Sequence, residues 1–315
     1  MLSRAVLLSL CPVLLFGAQE WILIRTTDGS QLEGQADLVK TTKFRPSEIL
    51  SIHSGSPASE KETESITTAL IAVQGKERQQ RDRAVDELTA IGVPVLTPLL
   101  KTLKDTDQHE PRPLYRLFER IMPSDADGVD RSLSLTRLQN GNSVRGALPE
   151  GALEVRKGNG EKVSVPWSTI RSLAVRKKSI QRAMPIHSLR HCNQIEYLDT
   201  GVVTTPGSKL NVNAHGFVRL SWNEDGWASD PDGLKKPGSP AYKTNLVGGH
   251  PFGALIGRVG SDGEVFFLGK QAVKTNLPAG RVKLAVNDNA HWQNNVGTYS
   301  VTMTVTDAYD LGNPQ

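Results

Sequence analysis

Near the end of the 315-residue chain, Asp288, Asn289, Asn294 and Asn295 gather one carboxylate and three amide oxygens into a stretch of eight residues. A hard cation such as Ca²⁺ takes about six to eight oxygen ligands from groups of this kind, with backbone carbonyls making up the number. Gly297 follows, where a backbone without a Cβ can turn sharply into the next strand. Asn and Asp also favour ordinary turns, so this loop alone leaves a cation site and a polar turn both open. His187 and His191 stand four apart, but no carboxylate nearby completes a metal set and the stretch has no helical pattern. The sequence carries no Gly-x-Ser-x-Gly elbow, His-Glu-x-x-His or phosphate loop. Asp199, Glu224 and Asp288 are candidates for a glycosidase pair only in the loose sense that distant strands can bring carboxylates together. No bond-making activity is expected.

These residues need a scaffold. From residue 194 onward the texture is all-β, with strand-like runs at Gln194–Leu198, Gly201–Thr205, Lys209–Asn213, Gly216–Trp222, Phe252–Val259, Glu264–Leu268, Arg281–Val286 and Tyr299–Val305. That pattern predicts a two-sheet sandwich with its loops gathered at the ends, where binding chemistry usually sits. The loop Ser221–Tyr242, carrying Trp222, Trp227, Asp230, Asp232 and Tyr242, is expected at the same end as the Asn-rich loop. Its DGWASDPDG stretch could serve a second cation, but reads better as a turn. Trp292 offers an apolar face on which a pyranose could stack.

The segments DTGVVTTPGSKLNVNAHGFVRL, FGALIGRVG, FFLG, PAGRVKLAVNDN and NNVGTYSVTMTV, in that order over about residues 196–306, resemble the PA-I galactophilic lectin family of bacterial carbohydrate-binding β-sandwich domains. The resemblance implies a galactose-binding-like jelly roll holding one calcium ion, to which sugar hydroxyls coordinate directly. It implies Asp288, Asn294, Asn295 and the backbone carbonyl near Leu220 as metal ligands; the candidates to face the sugar in this chain are Trp292, His291, Asn294 and Tyr242. The stretch from the Asp to the Asn pair is one residue shorter than in the galactose lectin. His291 and Trp292 occupy the region where that lectin has a ligating Thr.

The rest of the chain reads as mainly β with a helical insertion. Residues 19–56 and 129–178 are each a strand meander, and TTDGSQLEG aligns with RLQNGNSVRG as PSEILSI does with PWSTIRSL. This predicts an internal repeat of small SH3/Sm-like barrel units. Between them, 57–124 carries apolar residues at helical spacing: Ile66, Ala69, Leu70 and Val73, then Ala84, Val85, Leu88 and Ile91, then Val95, Leu96, Leu99, Leu100 and Leu103. AVDELTAIGVPVLTPLLKTL resembles one HEAT-type repeat, and a helix over Pro113–Met122 is expected to pack on it. HEAT-like units commonly bind proteins, which suggests a protein partner for this block. Residues 179–193 read as a linker and 194–310 as the lectin-like domain.

At the N-terminus, Arg4, the apolar run Ala5–Phe16 and Gly17-Ala18 read as a signal peptide over 1–18. The mature protein is expected to be secreted, or in the periplasm or cell envelope of a bacterium. No stretch is long enough to span a bilayer. Two cysteines, Cys11 and Cys192, exclude a disulfide scaffold, a Cys-type zinc cluster and a Cys-x-x-Cys redox motif. The net charge of 37 − 33 = +4 is small and scattered, which argues against nucleic acid as partner. The leading expectation is a secreted lectin-like protein that recognises sugar hydroxyls through calcium, with a homo-oligomer to raise avidity. The alternative is a non-catalytic structural or interaction protein of the cell envelope whose sandwich no longer binds sugar.

Overall fold

The structure, a computed structural model, describes residues 20–28, 30–38, 49–54, 58–105, 114, 117–118, 121, 134–138, 143–194, 196–221, 227–234, 247, 249–289 and 295–312. Residues 1–18, expected to be a signal peptide, and the site candidates Tyr242, His291, Trp292 and Asn294 lie outside the described residues. The protein is mainly β, with fifteen strands and three α-helices among the described residues. None of those helices is long and apolar enough to cross a membrane.

Strands β1 (Glu20–Thr26) and β2 (Gln31–Ala36) form a hairpin. The Asp28 carboxylate closes its turn by accepting from the Ser30 N–H at 3.0 Å and from the Thr26 hydroxyl. Next come β3 (Ile49–His53), β4 (Ser134–Leu138), β5 (Ser143–Gly146), β6 (Ala152–Arg156), β7 (Lys162–Pro166) and β8 (Ile170–His187). The two expected repeat units do not fold apart. β1 pairs with β8, β2 with β6, and β3 with both β4 and β8, so strands from before and after the helices alternate in one sheet. One core serves both, built from Ile22, Ile24, Leu38, Ile52, Leu153, Val155, Trp167 and Leu173 among others. A meander of such length buries too little apolar surface alone, and interleaving pools two half-cores into one. Gly34 marks the crossing, because a Cβ there would lie 2.5 Å from Val155 Cγ1 and 2.7 Å from the Arg156 carbonyl.

The helical insertion begins at a capping box. Ser59 Oγ accepts from the Glu62 N–H at 3.2 Å, and the Glu62 carboxylate accepts from the Ser59 N–H at 3.1 Å, at the start of α1 (Glu60–Val73). α2 (Arg78–Ile91) stops at Gly92, whose φ of 76° is the left-handed conformation glycine tolerates. A 3₁₀ turn (Val93–Val95) leads into α3 (Leu96–Asp105). Ile66, Leu70, Val73, Leu88, Ile91, Val95 and Leu99 share a core with Leu114, Leu117 and Ile121.

Residues 179–193, expected as a linker, are no linker. β8 runs on through Arg176 to His187 and pairs with β15 (Val296–Asp310), from Arg176↔Tyr309 to His187↔Thr298. Basic side chains are engaged along this strand: Arg182 pairs with Asp310, and Arg176 donates to Thr205 Oγ1 at 3.1 Å. β15 lies between β8 and β9 (Leu198–Arg219), and β9 also pairs with β13 (Gln271–Leu277), β14 (Gly280–Val286) and the short β10 (Ala228–Ser229). β11 (Leu255–Val259) pairs with β14 on one side and β12 (Phe266–Phe267) on the other.

β9 changes partner at a bulge. The ladder steps from Lys209↔Thr306 to Thr204↔Ala308, and the Thr205 and Ser208 hydroxyls both donate to the Asp307 carbonyl, at 2.9 and 2.8 Å. Before the bulge β9 holds β14, and after it β13. Leu255, Val282, Leu284 and Val286 thereby meet Leu210, Val212, Val218, Tyr299, Val301 and Met303 in one hydrophobic cluster. The ends of β9, β14 and β15 converge beside the Asn-rich loop.

Candidate cation site

Asp288 stands two residues beyond β14, and Asn295 one residue before β15. Arg219 pairs with Val296 as the last rung between β9 and β15. One step further, the register brings the Leu220 backbone opposite Asn295. Three of the four metal-ligand candidates thus come from strand ends that the sheet itself brings together, and the fourth, Asn294, lies outside the described residues. Gly297 has a φ of 99°, and a Cβ on it would sit 2.5 Å from the Phe217 carbonyl, so the close approach of β15 to β9 requires glycine at this point.

Asp288 is fully buried and Asn295 is 2% exposed. The Asp288 carboxylate accepts from its neighbour's backbone, the Asn289 N–H, at 2.6 Å and from Asn295 Nδ2. The second hydrogen of that amide goes to the Ser188 carbonyl at 3.3 Å. Both Asn295 N–H bonds are therefore used, which fixes the amide plane and leaves its Oδ1 buried with no hydrogen-bond donor. A buried acceptor without a donor needs an explanation, and a cation is one that suits an oxygen lying beside a carboxylate. The residues present fit a hard cation. Among the described residues no three His, Cys, Asp or Glu side chains cluster, so the donors here are one carboxylate with amide and carbonyl oxygens.

Other candidates separate from this centre. Asp230 and Asp232 share Lys270, whose Nζ is 2.6 Å from one carboxylate and 3.4 Å from the other, while Asp232 N–H donates to Asp230 Oδ1 at 3.0 Å. The DPDG stretch is a turn closed around a lysine. Trp227 packs edge-on against Phe252, ring centroids 5.7 Å apart, and joins the core of the same region. Asp199 is buried in an ion pair with Arg281 at 2.8 Å. It pairs in register with Lys283, inside the β9–β14 ladder, whereas Asp288 lies beyond the end of β14. Glu224 lies outside the described residues. His187 and His191 meet across a tight turn instead of a helix. His191 Nδ1 accepts from the His187 N–H at 3.1 Å, and His187 Nδ1 lies 2.9 Å from Thr298 Oγ1.

The groups that hold the centre in place came from none of the sequence motifs. Asn193 is fully buried, and its Oδ1 accepts from the Asp288 N–H at 2.5 Å. Gln194 Nε2 donates to the Asp288 carbonyl at 2.9 Å. These contacts span 95 and 94 positions along the chain, and no local spacing signals them.

No family model matches the chain, and no curated protein matches it. Among solved structures, a chain described as the EclA N-terminal domain, a PllA-like lectin, is similar at 22% identity. The alignment covers 40% of this chain and 96% of that one, with a TM-score of 0.31.

Proposed function

We propose that the chain is a carbohydrate-binding, lectin-like protein in which Asp288, Asn295, Asn294 and the Leu220 carbonyl hold a calcium ion that sugar hydroxyls reach. The observation that carries this reading is the buried contact of Asp288 with Asn295, in which Asn295 Oδ1 has no donor. Calcium, when bound, supplies coordination positions that a vicinal diol can take in place of water. This chain's residues do the remaining work. The strand ends of β9, β14 and β15 fix the oxygens, and burial of Asp288 keeps the carboxylate out of competition with bulk water. Trp292, His291, Asn294 and Tyr242 are the residues we assign to the sugar side of the site, with Trp292 offering the apolar face. The region from 194 to 310 acts as a jelly-roll sandwich of the galactose-binding kind. The interleaved β region and the HEAT-like helical block form its base. The protein works outside the cytoplasm after loss of residues 1–18.

A glycan array probed with calcium and again with chelator tests this. We expect retention of a subset of terminal monosaccharides, abolished by chelation. Glycan binding that ignores the chelator contradicts the calcium part, and no binding to any glycan contradicts the whole.

A further inference from the structure

We propose that Asn193 is a positioning residue for this cation site, an inference that rests on the calcium reading above. The argument begins with the place of Asp288. It lies past the end of β14, where the ladder no longer provides partners for its backbone. A buried N–H or C=O left alone there would cost a large part of a hydrogen bond's desolvation. Side chains fill the gap. Asn193 Oδ1 takes the Asp288 N–H at 2.5 Å, and Gln194 Nε2 gives to the Asp288 carbonyl at 2.9 Å. Both backbone groups of the carboxylate-bearing residue are gripped by two consecutive residues, which sets the direction in which the carboxylate leaves the chain.

Asn193 is itself anchored. Its N–H donates to the Val286 carbonyl at 3.0 Å, and the Val286 N–H donates to the His191 carbonyl at 2.8 Å. The strand end and the segment before β9 are thereby bolted together on both sides of Asn193. The same segment reaches the other arm of the loop. The Ser188 carbonyl takes Asn295 Nδ2, and the Ser188 N–H and hydroxyl donate to the Gly297 carbonyl at 3.2 and 3.1 Å. Residues 188–194 thus form a single brace that holds Asp288 on one arm and Asn295 on the other. Groups that orient metal ligands in this way commonly matter for affinity about as much as a tenfold to hundredfold change.

The test uses the whole chain, stripped of metal by chelation, with calcium alone as the probe. Asn193→Leu removes the acceptor at similar volume, and Asn193→Asp keeps an oxygen in the same place. In the metal-free protein, hydrogen exchange at the Asp288 amide should be fast in N193L and protected in N193D. Calcium affinity should fall by about ten- to a hundredfold in N193L and recover in N193D. N193L that binds calcium as tightly as the unsubstituted chain overturns the proposal, as does N193D that binds no better than N193L. If N193L fails to fold, Gln194→Ala at a half-buried position carries the test, with a severalfold loss expected and an unchanged affinity overturning it. No calcium binding by the unsubstituted chain removes the parent reading and this one together. The amide exchange, read without metal, keeps that outcome distinct.

Discussion

The Asp288 carboxylate is fully buried and accepts from the Asn289 N–H and from Asn295 Nδ2. Asp288→Asn should remove calcium-induced stabilisation, because it takes the carboxylate out of the proposed ligand set. Thermal melts with calcium and with chelator check this, and a calcium-dependent rise in Tm that survives D288N would count against the assignment. Tyrosines give a second handle at this scale. Burial raises the Tyr299 phenol well above its ordinary range, its hydroxyl lying 2.7 Å from the Gly253 carbonyl and 2.9 Å from that of Asp230. Burial likewise raises Tyr309, helped by Glu33 at 2.7 Å, and raises Tyr197. A raised phenol pKa stabilises the fold fully below the unfolded value near 10, and that stability is lost as pH climbs from there toward the folded value. Unfolding at about pH 10–12 should steepen accordingly, and Tyr299→Phe should flatten the slope by about one proton. Phenolate absorbance that rises for all five tyrosines before the fold is lost would contradict this.

At the scale of elements, Gly297 was legible from the sequence as the residue that turns the loop into its strand. Its φ of 99° and the 2.5 Å approach of a would-be Cβ to the Phe217 carbonyl give the reason. Gly297→Ala should cost at least about 2 kcal/mol in denaturant unfolding and should weaken calcium binding, since Asn295 is only two residues away. A stability within experimental error of the parent would show that the β9–β15 approach is looser than described. The helices were legible too, through apolar spacing and the stop at Gly92. β9 was not. Pro206, Gly207 and Gly216 carry the signals of turns, so its 22 residues read as separate short strands. The ladder continues through them because the Thr205 and Ser208 hydroxyls satisfy the Asp307 carbonyl across the bulge. β13 was missed for a different reason: Gln271, Lys274, Thr275 and Asn276 dilute its apolar alternation, and its outer face is exposed. Residues 179–193 read as a linker because what holds them is distant in sequence: Arg182, for one, pairs with Asp310, 128 positions away.

Across the whole molecule, α2 joins the helical insertion to the C-terminal strands through charge. Asp82 meets Arg258 at 2.7 Å, Asp86 meets Lys283 at 2.5 Å and also accepts from the Ser261 hydroxyl, and Arg83 meets Asp262 at 2.8 Å. Arg258 also lies 4.1 Å over the Tyr197 ring. A second joint is the bidentate pair of Arg171 on β8 with Glu62 on α1, both buried. This face of the insertion is occupied within the chain. These joints differ in weight. Lys283 is 4% exposed, so Asp86→Ala leaves an ammonium without its anion in a dry place and should cost about 3 kcal/mol. Asp262→Ala breaks an exposed pair and should cost little. Equal losses from the two, measured by chemical denaturation, would mean that the seam is wetter than its burial implies.

Titration of calcium into the chelator-treated chain by calorimetry bears most directly on the account. It predicts one saturable site per chain, with a dissociation constant of about 10⁻³ M or tighter, absent in D288N. A flat titration, or heat of the same size in D288N, would contradict it.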